Sequence, residues 1–589
     1  MKHVYIVLFF IAITIASCTD MLDVTRLDVV SSDQVWNDET LIEAYYGNLY
    51  SRANFIFGLD ETTSTNFFDK YYGAGHMGSE GTNRQKARVA YTDGRLAADN
   101  TDIPIGNWDY GFIRDVNTAI ENLNASTSFS EDFKNQKLGE AYFMRAFSYF
   151  EMVKRYGGVP IVTTVQNPSA DIETLQIPRS TEEEVYRFIE SELDKAYELL
   201  SGRQNHKTYI TEWAVLCLKS RAMLYAGSIA ANNSKLTYTK DGLVGIDPSK
   251  AEAFYQSSLN ASQKLTDLGG FSLQVNDNNQ IDNFRKLFIE DNDEIIMLME
   301  FTGAGGRYNN LEALLHPRVT AYEYWGNMFS PYLENLEAFE YMDGTPGNML
   351  YGTDITWREA FKKGNFYSLD QLFGAKDARL LASIAVPQTE YIGEPIYYHL
   401  SVTDPDYAKA NAVPLKCQNQ NTGPNAGHTG FGQVKFLNGV PWLLGEGSSD
   451  VPIFRLGEIY LNYAEAALGL EQHLSEGLKY LNDIRARAGL VPHSSLTFDA
   501  IVQERRVELM FEHHRFWDLR RWRLAEEYLN SQLSGVDWVW NVEANTYQLT
   551  MKKNVEQFIR QFRPEHYYFP IPQNVVRDDK LEQNPGYSF

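Results

Sequence analysis

Residues 501–522, IVQERRVELMFEHHRFWDLRRW, constrain this chain more than any other stretch. Neither Pro nor Gly interrupts them and strong helix formers fill them, so a continuous helix is expected. Val507, Met510, Phe511, His514 and Trp517 recur every three or four residues, which places them along one helical face. Glu504, Glu508 and Glu512 fall four apart on another, and Glu512–Arg515 and Asp518–Arg521 have the spacing of helical ion pairs. Large aromatics interleaved with so many ions describe a helix clamped between neighbours that satisfy its charges. The alternative, a nucleic-acid tract, needs a positive surface, yet four acids offset six arginines over 501–523. The net charge of −24 argues further against polyanionic partners.

The N-terminus reads as a targeting signal. Lys2 and His3 precede a largely apolar run, Val4–Ala16, too short to span a bilayer core of about 30 Å as a helix but suited to a signal-peptide core. Ile15-Ala16-Ser17-Cys18 resembles a bacterial lipobox. Cleavage after residue 17 would leave Cys18 as the first mature residue, lipidated and anchored to a membrane. Asp20 and Asp23 resemble the acidic signal that directs some lipoproteins to the outside of the outer membrane. The other two cysteines, Cys217 and Cys417, give neither a disulfide framework nor a zinc site, and Cys217 falls on an apolar helical face.

Along the mature chain, helix is expected at about 37–53, entered through Asn37 and Asp38. It resumes near 108 and continues through 138–156, where residues 138–153 carry two apolar stripes and Gly157, Gly158 and Pro160 stop the helix. Ser180-Thr181-Glu182-Glu183 has the form of a capping box opening a helix to about Leu200. Helices over 211–231 and 249–268 follow, the latter entered by Asp247 and Pro248. Residues 452–468, 480–490 and 501–522 complete a scaffold ending near 527. Successive helices joined by short turns, without strand alternation, mark an all-α helix-pair architecture. Two segments break the rhythm: 54–107, polar and glycine-rich, and 270–450, rich in Gly, Pro, Asn and Tyr. The first is a loop of a length that is usually functional or disordered, and the second, an insertion between helical blocks, is expected on the surface.

The sequence resembles the SusD-like (RagB/SusD) outer-membrane nutrient-binding lipoproteins. The resemblance rests on Cys18 followed by Thr-Asp-Met-Leu-Asp, MRAFSYFEMVKRYGGVP, RLGEIYLNYAEA, LNDIRARAGL, ERRVELMFEHHRFWDLRRW, and the closing FPIP with QNPGY. These occur in family order from 18 to 587. The resemblance implies one domain, 18–589, built as a tetratricopeptide-type superhelix of four helix pairs with a large, loop-rich aromatic insertion. It implies display on the surface of a Gram-negative outer membrane and a SusC-like TonB-dependent transporter as partner, over which the lipoprotein forms a lid. Its expected ligand is an oligosaccharide; peptide capture is the alternative, since some relatives serve peptide importers.

No G-x-S-x-G, P-loop or dinucleotide fingerprint is present, and adjacent His513 and His514 beside Glu512 cannot form HExxH. Asp291-Asn292-Asp293-Glu294 lacks the glycine and twelfth-position Glu of a calcium loop and reads as a solvated turn. No catalytic residue, cofactor or metal is therefore expected. A helical glycoside hydrolase or lyase is the less favoured alternative, and it needs a placed carboxylate pair. For binding, Tyr322, Tyr324 and Trp325 in the insertion form a candidate aromatic platform with Asp69, Tyr71, Tyr72 and Arg84 of the early loop. Exposed rings stack on the C–H faces of sugars while Asp and Arg hold hydroxyls.

Overall fold

The structure is a computed structural model. It describes residues 35–53, 55, 80–83, 96–97, 107–203, 206–275, 279–317, 326–327, 329–415, 429–439, 443–553, 555–556 and 559–587. The leader 1–17, Cys18 and Cys417 lie outside the described residues.

Helices form where capping residues meet apolar periodicity. Helix α1, Glu39–Arg52, starts on Asp38, whose carboxylate accepts the N–H groups of Thr40 and Leu41. Helix α2 spans Tyr110–Ala125 from Asp109, and α3 spans Glu131–Tyr156 from Ser130. Helix α3 ends at Gly157, which adopts φ +72° where a Cβ would collide with the Leu243 carbonyl. Helix α4, Glu182–Leu200, opens with a capping box of Thr181 and Glu184, one residue later than Ser180 and Glu183. Ser180 is drawn out of the cap because its N–H bonds the Val159 carbonyl at 3.1 Å. Helix α5, Glu212–Ala231, is capped by Thr211, and α6, Ala251–Leu268, follows a single turn entered by Asp247 and Pro248.

Each of these packs on its successor: α2 on α3, α3 on α4, α4 on α5 and α5 on α6. Helix α7, Gln280–Ile289, opens the insertion. The stack then continues through α8, Leu456–Leu470, which lies against α5 and α6, and α9, Leu474–Arg487, which lies against α8. The result is the expected tetratricopeptide-type superhelix. Helix α5 is long and apolar enough to cross a membrane by composition, but most of it is buried within the stack, as suits a core helix. Its Cys217 is a buried free thiol.

Two stretches depart from the periodicity reading. Residues 452–455 are not helical: β6, Val451–Arg455, pairs antiparallel with β2, Ile295–Met299, before α8 begins. Pro452 supplies no N–H and disfavours a helical conformation at Val451, while Arg221 takes the Ile453 carbonyl at 2.9 Å.

The 501–522 stretch is broken. Helix α10 covers Phe498–Glu508 and α11 covers Arg515–Arg521, with Phe511 and His513 between them at φ 65° and 64°. Tertiary partners captured the backbone groups that would have continued the ladder. Lys435 Nζ donates to the Met510 carbonyl at 2.7 Å, Arg455 Nη2 to the Glu508 carbonyl at 3.0 Å, and the Phe511 N–H donates to Glu80 Oε2 at 3.1 Å. The Asp518–Arg521 pair forms at 2.8 Å. Glu512 instead serves Lys435 and Arg455, so the Glu512–Arg515 pair does not form.

The insertion and C-terminal segments add strands that an all-α reading leaves out. A four-stranded sheet runs in the order β4, β8, β7, β5. Strand β4 is Phe366–Ser368 and β5 is His399–Val402; β7, Ser534–Asn541, and β8, Thr546–Lys553, form an antiparallel hairpin, and β5 lies parallel to β7. Trp538, Trp357, Phe373 and Phe431 pack edge-on and tilted beneath it.

Trp517 sits in the clamp inferred for it. It is 4% exposed, with Lys154 Nζ 4.8 Å and Arg155 Cζ 4.9 Å from its ring centre. Trp517→Ala is expected to cost about 3–5 kcal/mol, read as a lowered urea midpoint; an unchanged midpoint would refute the clamp.

Candidate functional site

The residues named for ligand binding, Asp69, Tyr71, Tyr72, Arg84, Tyr322, Tyr324 and Trp325, lie outside the described residues. The ends of both segments are described, and they meet. Strand β1, Gly81–Asn83, pairs antiparallel with β3, Phe329–Pro331, in the register Gly81 with Pro331, Thr82 with Ser330 and Asn83 with Phe329. Arg84 follows Asn83 directly, and Trp325 precedes Phe329 by four residues. Chain connectivity therefore ties the two segments to one ribbon, although about 240 residues separate them in sequence.

That ribbon is seated on the turn that breaks the expected long helix. Glu80, just ahead of β1, is buried, and its carboxylate accepts the Phe511 N–H. Its carbonyl accepts the Tyr332 N–H at 3.3 Å and the Asn335 side-chain amide. Asn335 Oδ1 and the Glu334 carbonyl in turn accept from Arg506 Nη2 at 3.0 and 2.8 Å. Phe329 meets Phe511 edge-to-face with ring centres 5.7 Å apart. Below the ribbon, Tyr332 donates to Glu556 at 2.6 Å, and Arg560 bonds both. Glu80, β1 and β3 are thus fastened to the rigid helical frame.

Three cavities lie near this frame. One of about 80 Å³ is walled by Phe147, Glu151, Lys154, Arg155, His514 and Trp517, and holds only a few waters. A second, of about 270 Å³, is bordered by Lys207, Glu290, Asp291, Glu300 and Asp450. The third, of about 490 Å³, is bordered by Glu340, Ser494, Asp499, Arg506, Arg515 and Tyr528. The third reaches the size range of small-ligand sites.

The Asp291–Glu294 turn has other commitments. Asp291 pairs with Lys207, Asn292 Nδ2 bonds the Leu287 and Glu290 carbonyls, and buried Glu294 pairs with Arg455 and Arg487. No group of three His, Cys, Asp or Glu side chains suited to a metal occurs among the described residues.

The sequence reading missed Glu80 and the third cavity. Glu80 carries no local signal, because its role depends on a partner 431 positions away. The cavity did leave a trace. Two of the six arginines over 501–523 exceed the acids available, and Arg506 and Arg515 are among those without an ion pair in the described residues.

Burial pushes the Glu80 carboxyl up to about 8, although the Phe511 N–H, Lys435, Arg515 and Arg506 all pull it down. A folded-state value above the unfolded one gives a stabilisation that is complete below the unfolded value near 4.5 and is lost as pH rises through about 8. Glu80→Gln keeps an acceptor for Phe511 but cannot ionise. Its stability is expected to gain on the original protein steadily between pH 5 and pH 9 (roughly the titration window), measured as denaturant midpoints across that range. Parallel pH profiles would show that Glu80 does not titrate there.

Comparison with known proteins agrees with this architecture. Residues 293–587 match the model of the SusD family, and residues 20–224 match a second family model described as starch-binding associating with outer membrane. A SusD-like protein of Bacteroides ovatus is 26% identical over 439 residues, 72% of this chain and 67% of that protein. A SusD-like protein of Formosa agariphila is 23% identical over 535 residues, covering 87% of this chain and 85% of its own. The crystal structure of a SusD-like protein from Bacteroides fragilis superposes with a TM-score of 0.71 at 25% identity, over 95% of this chain and 99% of that one. A SusD-like carbohydrate binding protein from the same species superposes at 0.67 with 20% identity, over 92% and 99%. The first match alone spans half of the sequence: the chain belongs to the SusD family.

Proposed function

We propose that this protein is a cell-surface glycan-binding lipoprotein that captures oligosaccharides and passes them to a SusC-like TonB-dependent transporter. The observation that carries the reading is the β1–β3 ribbon. It pairs the strand that leads into one aromatic, polar segment with the strand that follows another, on a helical frame, and a sugar platform draws on such a junction. The starch-binding description of one matching family and the carbohydrate-binding relative of the same fold support the ligand class. The outer-membrane wording of that description supports the location, with Cys18 as lipid anchor at the head of a single domain, 18–589. Tyr322, Tyr324 and Trp325 supply the rings in this reading, and Asp69, Tyr71, Tyr72 and Arg84 line the facing loop.

Binding without catalysis is the chemistry that the scaffold's acids support. Glu294, Glu465, Glu504, Glu508, Glu512 and Asp518 are all engaged with arginines. Such carboxylates are locked in fixed pairs with arginines and are poorly placed to act as proton donors or nucleophiles. Stacking on one ring buries roughly 50 Å² and contributes on the order of 1 kcal/mol, so two or three rings give the weak, reversible affinity that hand-over to a transporter requires.

Trp325→Ala is expected to weaken binding of a maltooligosaccharide, the first probe that the starch description suggests, by roughly fivefold with unchanged melting temperature. Calorimetry and a thermal melt measure the two. Retained affinity, or a protein that melts earlier, removes Trp325 from the platform. Cys18→Ala should leave a folded protein absent from the membrane fraction. Retention on membranes of cells lacking the transporter would overturn the anchor.

A further inference from the structure

The cavity of about 490 Å³ has a property that the glycan platform does not explain. Its inner wall carries two neighbouring guanidinium groups, Arg506 and Arg515. Arg515 is 7% exposed, and its Nη1 is buried without a hydrogen-bond partner. Its one close companion is the Tyr528 ring, whose centre lies 5.0 Å from Cζ. Arg506 spends one nitrogen on the Glu334 carbonyl and Asn335 Oδ1, both neutral acceptors.

Two carboxylates, Glu340 and Asp499, also border the cavity; Asp499 is exposed and has no ion pair among the described residues, while the other acids nearby are committed elsewhere. Asp518, on the same helix as Arg515, bonds Arg505 at 3.0 Å and Arg521 at 2.8 Å. Glu334 and Glu337 share Arg358, and Glu340 pairs with Arg485 at 2.9 Å. Glu80, a buried carboxyl whose charge would act on both arginines, holds its proton up to about pH 8. The consequence shows on the cations themselves: burial, then the adjacent charge of Arg506, pushes Arg515 down to about 9.

Arg515, whose buried Nη1 has no hydrogen-bond partner, and Arg506 border a cavity of about 490 Å³ whose two carboxylates, Glu340 and Asp499, lie at the same lining. Arginine's planar fork suits an oxyanion, and Ser494, Ser495 and Gln503 at the same cavity offer donors to its remaining oxygens. We propose that this cavity is an oxyanion-binding site centred on Arg515, with Arg506 as the second cation, taking either the carboxylate of an acidic sugar or a free inorganic anion. The site is separate from the platform proposed above and does not rest on it.

Calorimetric titration of the full mature chain at low ionic strength tests this with sodium glucuronate, sodium sulfate and neutral glucose as probes. At least one anion is expected to bind where glucose does not, and Arg515→Met is expected to weaken that binding by about tenfold or more. Ser494→Trp, at the exposed mouth, leaves both arginines in place and should block the same binding with the melting temperature retained. It decides the matter if Arg515→Met does not fold. Glucuronate binding more tightly than sulfate identifies an acidic sugar as the ligand chemistry, and sulfate binding as tightly or more so identifies a free anion. Absence of binding by both anions, or binding that survives the substitutions, overturns the proposal. Loss of maltooligosaccharide binding in Trp325→Ala is a separate readout, so the two readings fail independently.

Discussion

The fold turns on one buried carboxylate. Glu508 lies inside the protein with three guanidiniums around it: Arg455 at 2.7 Å, Arg379 at 2.8 Å, and Arg487. Burial alone would raise its carboxyl, yet Arg487, Arg455 and Arg379 together hold it well below the ordinary range. The same cations reach outward, Arg455 to Glu294 and Glu512, Arg379 to Asp377 and Glu504, and Arg487 to Glu294. Through these links the approach to β2, the end of β6, the last turn of α9, helix α10 and the turn after it share one charge lattice. Ions this deep are tolerated only when every partner is present, because loss of one leaves a buried charge worth about 3–5 kcal/mol. The lattice therefore fixes where the insertion returns to the helical stack.

It also explains why the most informative stretch of sequence misled in detail. Propensity and periodicity over 501–522 are those of a helix, and the side chains named for burial are buried. What periodicity could not weigh was the competition for backbone groups at Glu508, Met510 and Phe511 by Arg455, Lys435 and Glu80, which come from three distant parts of the chain. Helices α2 to α6 were legible because local signals decide them: Asp109, Ser130, Thr181 and Thr211 cap them, and Gly157 stops the longest. The hairpin β7–β8 was legible in principle, since Val536, Trp538 and Trp540 alternate inward, but it went unread within a helical frame.

The site was legible to a different degree. Composition marked the two segments as unlike the scaffold, and the structure shows their bases paired, a long-range fact that no window of sequence carries. Glu80 illustrates the difficulty: a single acid after a glycine-rich run looks solvated, whereas its carboxylate is buried against the Phe511 turn. Arg515 was read as one more member of a balanced helix, and only the pairing of its neighbours shows that the balance does not reach it.

The seating of Glu80 on the Phe511 N–H has a consequence for the order of assembly. Helices α2 to α6 close through local contacts and can form as each emerges. The ribbon instead closes a loop of about 250 residues, which costs on the order of 5 kcal/mol of chain entropy before any contact repays it. Its seat is complete only when residue 511 is in place. The ribbon is thus assembled after the frame that seats it. A chain that has not finished folding carries the frame without the ribbon, and the pairing of β1 with β3 becomes a report on completion of the whole protein.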